Sequence, residues 1–260
     1  MSVASPEPGD VGGERSPLHA EHTPEAIRDR LAAGPRADHL RDFVYGAVDG
    51  TVTTFAVVSG VAGAGLGGTI IVILGLANLL ADGFSMAVSN FLGTRAEAGR
   101  NDRARREERR HIEELPEGER EEIRQIYARK GFTGDDLEMV VRVLTSDIDR
   151  WVETMVREEH GIAAAPPAPW KAATVTFSAF VVVGLIPLLP FLTAAVGVTV
   201  ERPYLWSSLG TGAAFFAVGV AKARFVDQPR FRAGVETLLL GGGAAGLAYG
   251  VGALLRGLVE

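Results

Sequence analysis

The 260-residue chain carries a formal net charge of -6 with basic and acidic side chains interleaved, so it lacks the basic face that nucleic-acid binding requires, and no nucleic-acid partner is expected. It contains no cysteine, which excludes disulfides, thiolate zinc sites and iron–sulfur clusters together. Its mean hydropathy is positive because apolar blocks flank a strongly charged one, a pattern foreign to a uniform globular domain.

Residues 1–38 are rich in Pro, Gly, Glu and Ala and hold no apolar run, so they lack the core of a signal peptide and are expected to form a disordered tail. Residues 39–93 read as transmembrane helices one and two, joined by the charge-free, Gly-rich GVAGAGLGG. Each is long enough to cross a bilayer core of about 30 Å at 1.5 Å per residue. Each also carries a carboxylate in its interior, Asp49 in the first and Asp82 in the second. Such a group costs about 2.5–3.5 kcal/mol on insertion scales, so it is kept for function unless it serves a structural helix–helix hydrogen bond.

Counting from the polar flanks puts Asp49 and Met86 at one level, about 9 Å inside, and Asp82 about 15 Å inside. Asn78, Asp82, Met86 and Asn90 recur every fourth residue and, with Ser85 and Ser89, draw one polar stripe along the second helix. Carboxylate, amide and thioether donors suit Fe²⁺, Mn²⁺ or Co²⁺ better than Mg²⁺. Met86 on its own could equally fill a core.

Residues 94–168 are the charged block, closed by AAAPPAPW. The second span is expected to run on past Gly93, a new helix to start after Pro116 and end at Gly131, and Thr133 and Ser146 to cap two more. Ile123, Ile126, Tyr127, Leu137, Val140, Val141, Leu144, Ile148, Trp151, Val152 and Met155 have the helical spacing of a small bundle core. Glu108 and His111, Glu119 and Glu122, and Met155 and Glu159 each share a helix face. Glu-x-x-His pairs on facing helices hold iron or manganese in di-metal bundles. The alternative is a solvated face in which these acids pair with the neighbouring Arg103, Arg105, Arg106, Arg109 and Arg110.

Residues 169–260 supply transmembrane helices three to five, over Ala172 to Val198, Pro203 to Ala221 and Gly234 to Leu255. Pro187 and Pro190 are expected to kink the third. Gly242, Gly246 and Gly250 form a small-residue ridge on the fifth, expected to pack against a neighbouring helix. Lys222, Arg224, Arg230 and Arg232 between spans four and five, with Arg36 and Arg41 before span one, place the N-terminus and the charged block in the cytoplasm and Glu260 outside. The fold class is thus an all-α membrane protein: five transmembrane helices with a cytoplasmic helical metal-binding domain between spans two and three. A bacterial-type plasma membrane is the preferred setting.

The motifs AVDGTVTTFAVVSG, ADGFSMAVSNFLGTRAE, GLIPLLPF and GVETLLLGGGAAGLAYGVG make the chain, from about Leu40 to its C-terminus, resemble the vacuolar iron transporter family. The resemblance implies a five-span homodimer that moves Fe²⁺ or Mn²⁺ out of the cytosol in exchange for protons, with those ions as its only bound groups and no prosthetic cofactor. It matches the family's span-one aspartate to Asp49 and its span-two methionine to Met86. The soluble ligands match Glu108, Glu119, Glu122, Met155 and Glu159, with His111 where plant members have glutamate. Asn78 stands in place of a span-two glutamate, which leaves Asp82 as the titratable group near the midplane.

A secondary transporter is therefore the expected function, and no enzymatic activity is expected. The rivals are a membrane-anchored ferroxidase or metal-binding protein built on the acidic helices, and a metal sensor. An anchor has no use for Asp49 or Asp82, and no output domain for a sensor is recognisable.

Overall fold

The computed structural model describes residues 17–33, 39–162, 168–198, 200–226 and 228–258, and all regular structure among them is helical. Residues 17–33, read from sequence as disordered, form two short helices, α1 (Pro17–Glu21) and α2 (Pro24–Ala33). Local capping outweighs the missing apolar run there: the Ala26 amide donates to Thr23 Oγ1 at 3.2 Å, Pro24 opens α2, and Glu25 sits in its first turn. The rest of the tail, residues 1–16 and 34–38, lies outside the described residues, as does Glu260.

Among the described residues, five helices are long and apolar enough to cross a membrane. They are α3 (Leu40–Gly63), the N-terminal part of α4 (Gly68–Glu114), α8 (Pro169–Gly184) with its continuation to Leu192, α10 (Pro203–Val226) and α11 (Arg230–Leu255). The third span breaks where the prolines predict. After Gly184 the chain passes through a 3₁₀ turn at Ile186–Leu188 and resumes as α9 (Leu189–Leu192). The linker residues 163–167 lie outside the described residues, and α8 begins at Pro169.

Helix α3 is the centre of the bundle, touching α4, α8, α10 and α11. Its approach to α8 is backbone on backbone. A Cβ at Gly46 would stand 2.3 Å from the Thr176 carbonyl oxygen and one at Gly50 2.4 Å from that of Phe180. Against α11, a Cβ at Gly252 would meet the Gly60 carbonyl oxygen at 2.0 Å. The predicted Gly242–Gly246–Gly250 ridge does not pack within the chain. A Cβ at any of the three would meet nothing within 4 Å, and Gly241 and Gly252, on the other side of α11, make the close approaches. Four-residue spacing marks a face without saying which face meets a neighbour.

This contrast gives a paired expectation. Gly50→Ala destabilises by about 1–3 kcal/mol, because the helix backbones must separate. Gly242→Ala is neutral or stabilising by up to about 1 kcal/mol from helix propensity alone. Thermal unfolding of the two purified variants checks both signs.

Helix α4 is a single helix of 47 residues, continuing from the candidate span into the charged block without interruption. Pro116 opens α5 (Pro116–Arg129) and Gly131, at φ +99°, reverses the chain after it. Thr133 is the residue before α6 (Gly134–Leu144), though its hydroxyl makes no cap hydrogen bond. Before α7 (Ile148–Glu158) the cap is Asp147, whose Oδ1 accepts from the Arg150 amide at 2.8 Å; the expected cap, Ser146, instead donates back to the Val143 carbonyl. A carboxylate outcompetes the adjacent hydroxyl because its charge also meets the helix dipole. Ile123, Val141, Trp151, Val152 and Met155 form the buried core with Ala104, Ile112 and Val156. Ile148, expected in that core, is exposed.

Candidate metal path and metal cluster

Asp42, Tyr45 and Asp49 lie at i, i+3 and i+7 on α3 and so share a face. At its Asp42 end that face meets Asn90 of α4, and two cavities open along it, the Asp49 one bounded mainly by α10 and α11. A cavity of about 460 Å³ is lined by Val44, Tyr45, Val48, Asp49, Val52, Met86, Lys222, Thr237, Leu240 and Gly241. A second, of about 570 Å³, is lined by Arg41, Asp42, Tyr45, Met86, Ser89, Asn90, Gly93, Thr94, Glu97 and Thr176. Tyr45 and Met86 line both, so a thioether and a phenol ring stand between an Asp49 chamber and one holding Asp42 and Glu97.

The structure therefore brings Asp49 and Met86 together, as their shared depth predicts. It does not bring the whole polar stripe with them. Asn90 turns to the second cavity, donating through Nδ2 to Asp42 Oδ1 at 3.0 Å and Thr176 Oγ1 at 2.7 Å. Asp82 is half-buried outside both linings, yet near enough to Asp49 for the two carboxylates to repel. Asn78 is half-buried with its Nδ2 unpartnered.

Sequence reasoning missed Asp42, whose seven-residue spacing from Asp49 was the available signal. It also missed Lys222. Span four was expected to end at Ala221, but α10 runs on to Val226, and the extra turn carries Lys222 into the Asp49 chamber. There its Nζ lies 3.5 Å from Glu236 Oε1 on α11. An ammonium paired with Glu236 leaves the Asp49 charge available.

The second assembly gathers around Glu108 on α4. Glu108 is 2% exposed and Glu119, on α5, is 6% exposed, and each keeps an Oε2 atom with no hydrogen-bond partner. Buried ionisable oxygens without partners are costly unless a cation or proton completes them. Donor atoms of Glu108, His111 and Glu119 lie within 4.8 Å of one another, as do those of Glu108, Glu159 and His160. The two triads share Glu108. His111 Nδ1 is 3.7 Å from Glu119 Oε1, and His160 Nε2 is 2.8 Å from Glu108 Oε1.

Of the remaining predicted ligands, Glu122 is exposed and bears on the cluster through its charge, while Met155 is fully buried in the apolar core. Burial, then the charges of Glu122 and Glu108, push the Glu119 carboxyl up to about 7. Burial and the same kind of crowding, from Glu108 and Glu122, raise Glu159. Two of the arginines that a solvated face would use are engaged elsewhere: Arg105 reaches Glu153 at 3.3 Å and Arg109 pairs with Asp149.

The VIT family profile matches residues 40–253. The chain belongs to the VIT family. Among its relatives, the vacuolar iron transporter of Toxoplasma gondii is 34% identical over 85% of this chain and 75% of that protein. Vacuolar iron transporter 1 of Eucalyptus grandis is 29% identical over 82% and 84%, and the vacuolar iron transporter of Centaurea cyanus is 29% identical over 94% and 96%. The resemblance read from the motifs is thereby shown. These VIT relatives are named for a vacuole, so the preference for a bacterial-type plasma membrane gains no support.

Proposed function

We propose that this VIT-family chain is an integral membrane transporter that carries Fe²⁺, Mn²⁺ or both out of the cytosol in exchange for protons. Its relatives named as vacuolar iron transporters support metal-ion transport, and no enzymatic step is needed to explain the residues. The observation that carries the reading is that Met86 and Tyr45 line both cavities, so one ion can pass from the Asp42–Glu97 chamber to Asp49 past a thioether. An oxygen donor backed by sulfur suits ions of intermediate softness.

In this reading the charged helices after span two are cytoplasmic and the Glu108 cluster captures the ion there. Support comes from the basic residues at the facing ends of α10 and α11, namely Lys222, Arg224, Arg230 and Arg232. A second copy of the chain closes the Asp49 chamber, giving a homodimer. Support comes from Asp49 being exposed in the single chain, a carboxylate that lipid does not tolerate. Asp82 takes the proton, since Asn78 cannot titrate and the Asp82 charge bears on Asp49.

The test is the purified full chain in liposomes with an imposed pH gradient, a metal-sensitive dye and a pH dye inside. Uptake of Fe²⁺ or Mn²⁺ with opposite proton movement is expected. Asp82→Asn is expected to abolish the pH dependence of flux, and Asn78→Glu to restore part of it in that background. Uptake with no proton movement would make the protein an uncoupled facilitator. Iron oxidation without uptake would make it an anchored ferroxidase.

A further inference from the structure

We infer that His160 is a metal ligand and that it makes the cytoplasmic cluster a pair of carboxylate–imidazole triads sharing Glu108, selective for nitrogen-accepting ions such as Fe²⁺, Co²⁺ and Zn²⁺ over Mn²⁺. The inference rests on the proposed reading of the cluster as a metal site and adds to it a ligand and a preference.

His160 follows the end of α7, beyond the ligand pairs that helical spacing reveals. Its position is fixed all the same. The Glu159 amide donates to the Met155 carbonyl at 2.8 Å, Gly161 takes φ +66°, and the Ile162 amide returns to the Val156 carbonyl at 3.2 Å. Ile162 then packs against the apolar core. This turn holds the imidazole over the one carboxylate that both triads share, with Nε2 2.8 Å from Glu108 Oε1.

The second oxygen of Glu108 is buried and unpartnered, as is that of Glu119. So a histidine at hand satisfies one Glu108 oxygen, and two nine-tenths-buried carboxylates still offer oxygens to a ligand. A common ion binds imidazole nitrogen and carboxylate oxygen at about 2.0–2.2 Å, which a donor set within 4.8 Å accommodates with small side-chain adjustment.

Each triad holds one imidazole, His111 in one and His160 in the other. An all-oxygen cluster favours Mn²⁺ and Mg²⁺ more than a mixed one does, whereas imidazole raises affinity along the series from Mn²⁺ towards Zn²⁺.

The experiment titrates Co²⁺ and Mn²⁺ into the metal-free full chain in detergent by calorimetry, with the Co²⁺ form also recorded by paramagnetic proton NMR. The wild type is expected to bind Co²⁺ more tightly than Mn²⁺ and to show exchangeable, hyperfine-shifted signals from two imidazoles. His160→Gln keeps a hydrogen-bond donor for Glu108, so a merely positioning role survives it. It is expected to weaken Co²⁺ binding by about tenfold or more, the scale on which even outer-shell partners act, to alter Mn²⁺ little, and to remove one shifted signal. His160→Glu returns an oxygen donor and is expected to move the preference towards Mn²⁺. If Glu119→Gln weakens Co²⁺ binding while His160→Gln leaves affinity and spectrum unchanged, the role of His160 is overturned and the cluster stands. If neither variant alters Co²⁺ binding, the cluster as a metal site is overturned as well.

Discussion

Asp49→Asn is expected to lower Fe²⁺ flux into liposomes by about 100-fold, while leaving thermal stability within about 0.5 kcal/mol of wild type. Asparagine keeps the size of the side chain and its capacity to accept hydrogen bonds, and removes the charge alone. A helix–helix hydrogen bond survives that exchange, and a cation ligand does not. Residues 43–92 hold no basic side chain to pair with Asp49, but Lys222 of α10 lines the same chamber. The Lys222 ammonium is nevertheless paired with Glu236. Near wild-type flux in Asp49→Asn would assign the residue to structure, and the proposed path would lose its charged ligand.

Metal binding at the Glu108 cluster is expected to displace protons and to weaken as the pH falls below about 7, where Glu119 takes up its proton. The stability of the metal-free protein runs the other way. Glu119 is raised from 4.5 to about 7 on folding, so between those values the folded state holds a proton that the unfolded chain has lost. Its contribution is fully present below about 4.5 and is lost as the pH rises through about 7. A saturating metal ion replaces that proton and removes the loss. Melting temperatures from pH 5 to 8, with and without Co²⁺, should therefore converge at low pH and diverge above 7. Glu119→Gln should flatten the metal-free profile. Calorimetry in two buffers of different ionisation enthalpy counts the protons released, and none at pH 6 would contradict the assignment.

Periodicity and punctuation made most of the architecture legible. The apolar runs, Pro116, Gly131 and the Pro187–Pro190 pair each act through local backbone constraints, and the structure follows them. Asp49 and Met86 were legible as a pair because helical rise converts sequence distance into depth. What escaped depends on facts that no local rule holds. Lys222 lines the Asp49 chamber because α10 gains a turn over a basic stretch. His160 reaches Glu108 through a reversal after α7. The glycine ridge on α11 was visible as a ridge, but which glycines meet a neighbour is decided by how that helix is rotated.

The unbroken α4 separates Met86 from Glu108 by about 33 Å along its axis. Two divalent ions at that distance repel by only about 0.5 kcal/mol in water before screening. A Debye length of about 8 Å at physiological salt removes nearly all of that. Through the intervening solvent an ion held at the Glu108 cluster therefore acts only weakly on one at Asp49, and both stations can be filled at once. Where occupancy of one is found to change the affinity of the other, the signal is mechanical, carried by the tilt or rotation of a helix that both ions grip.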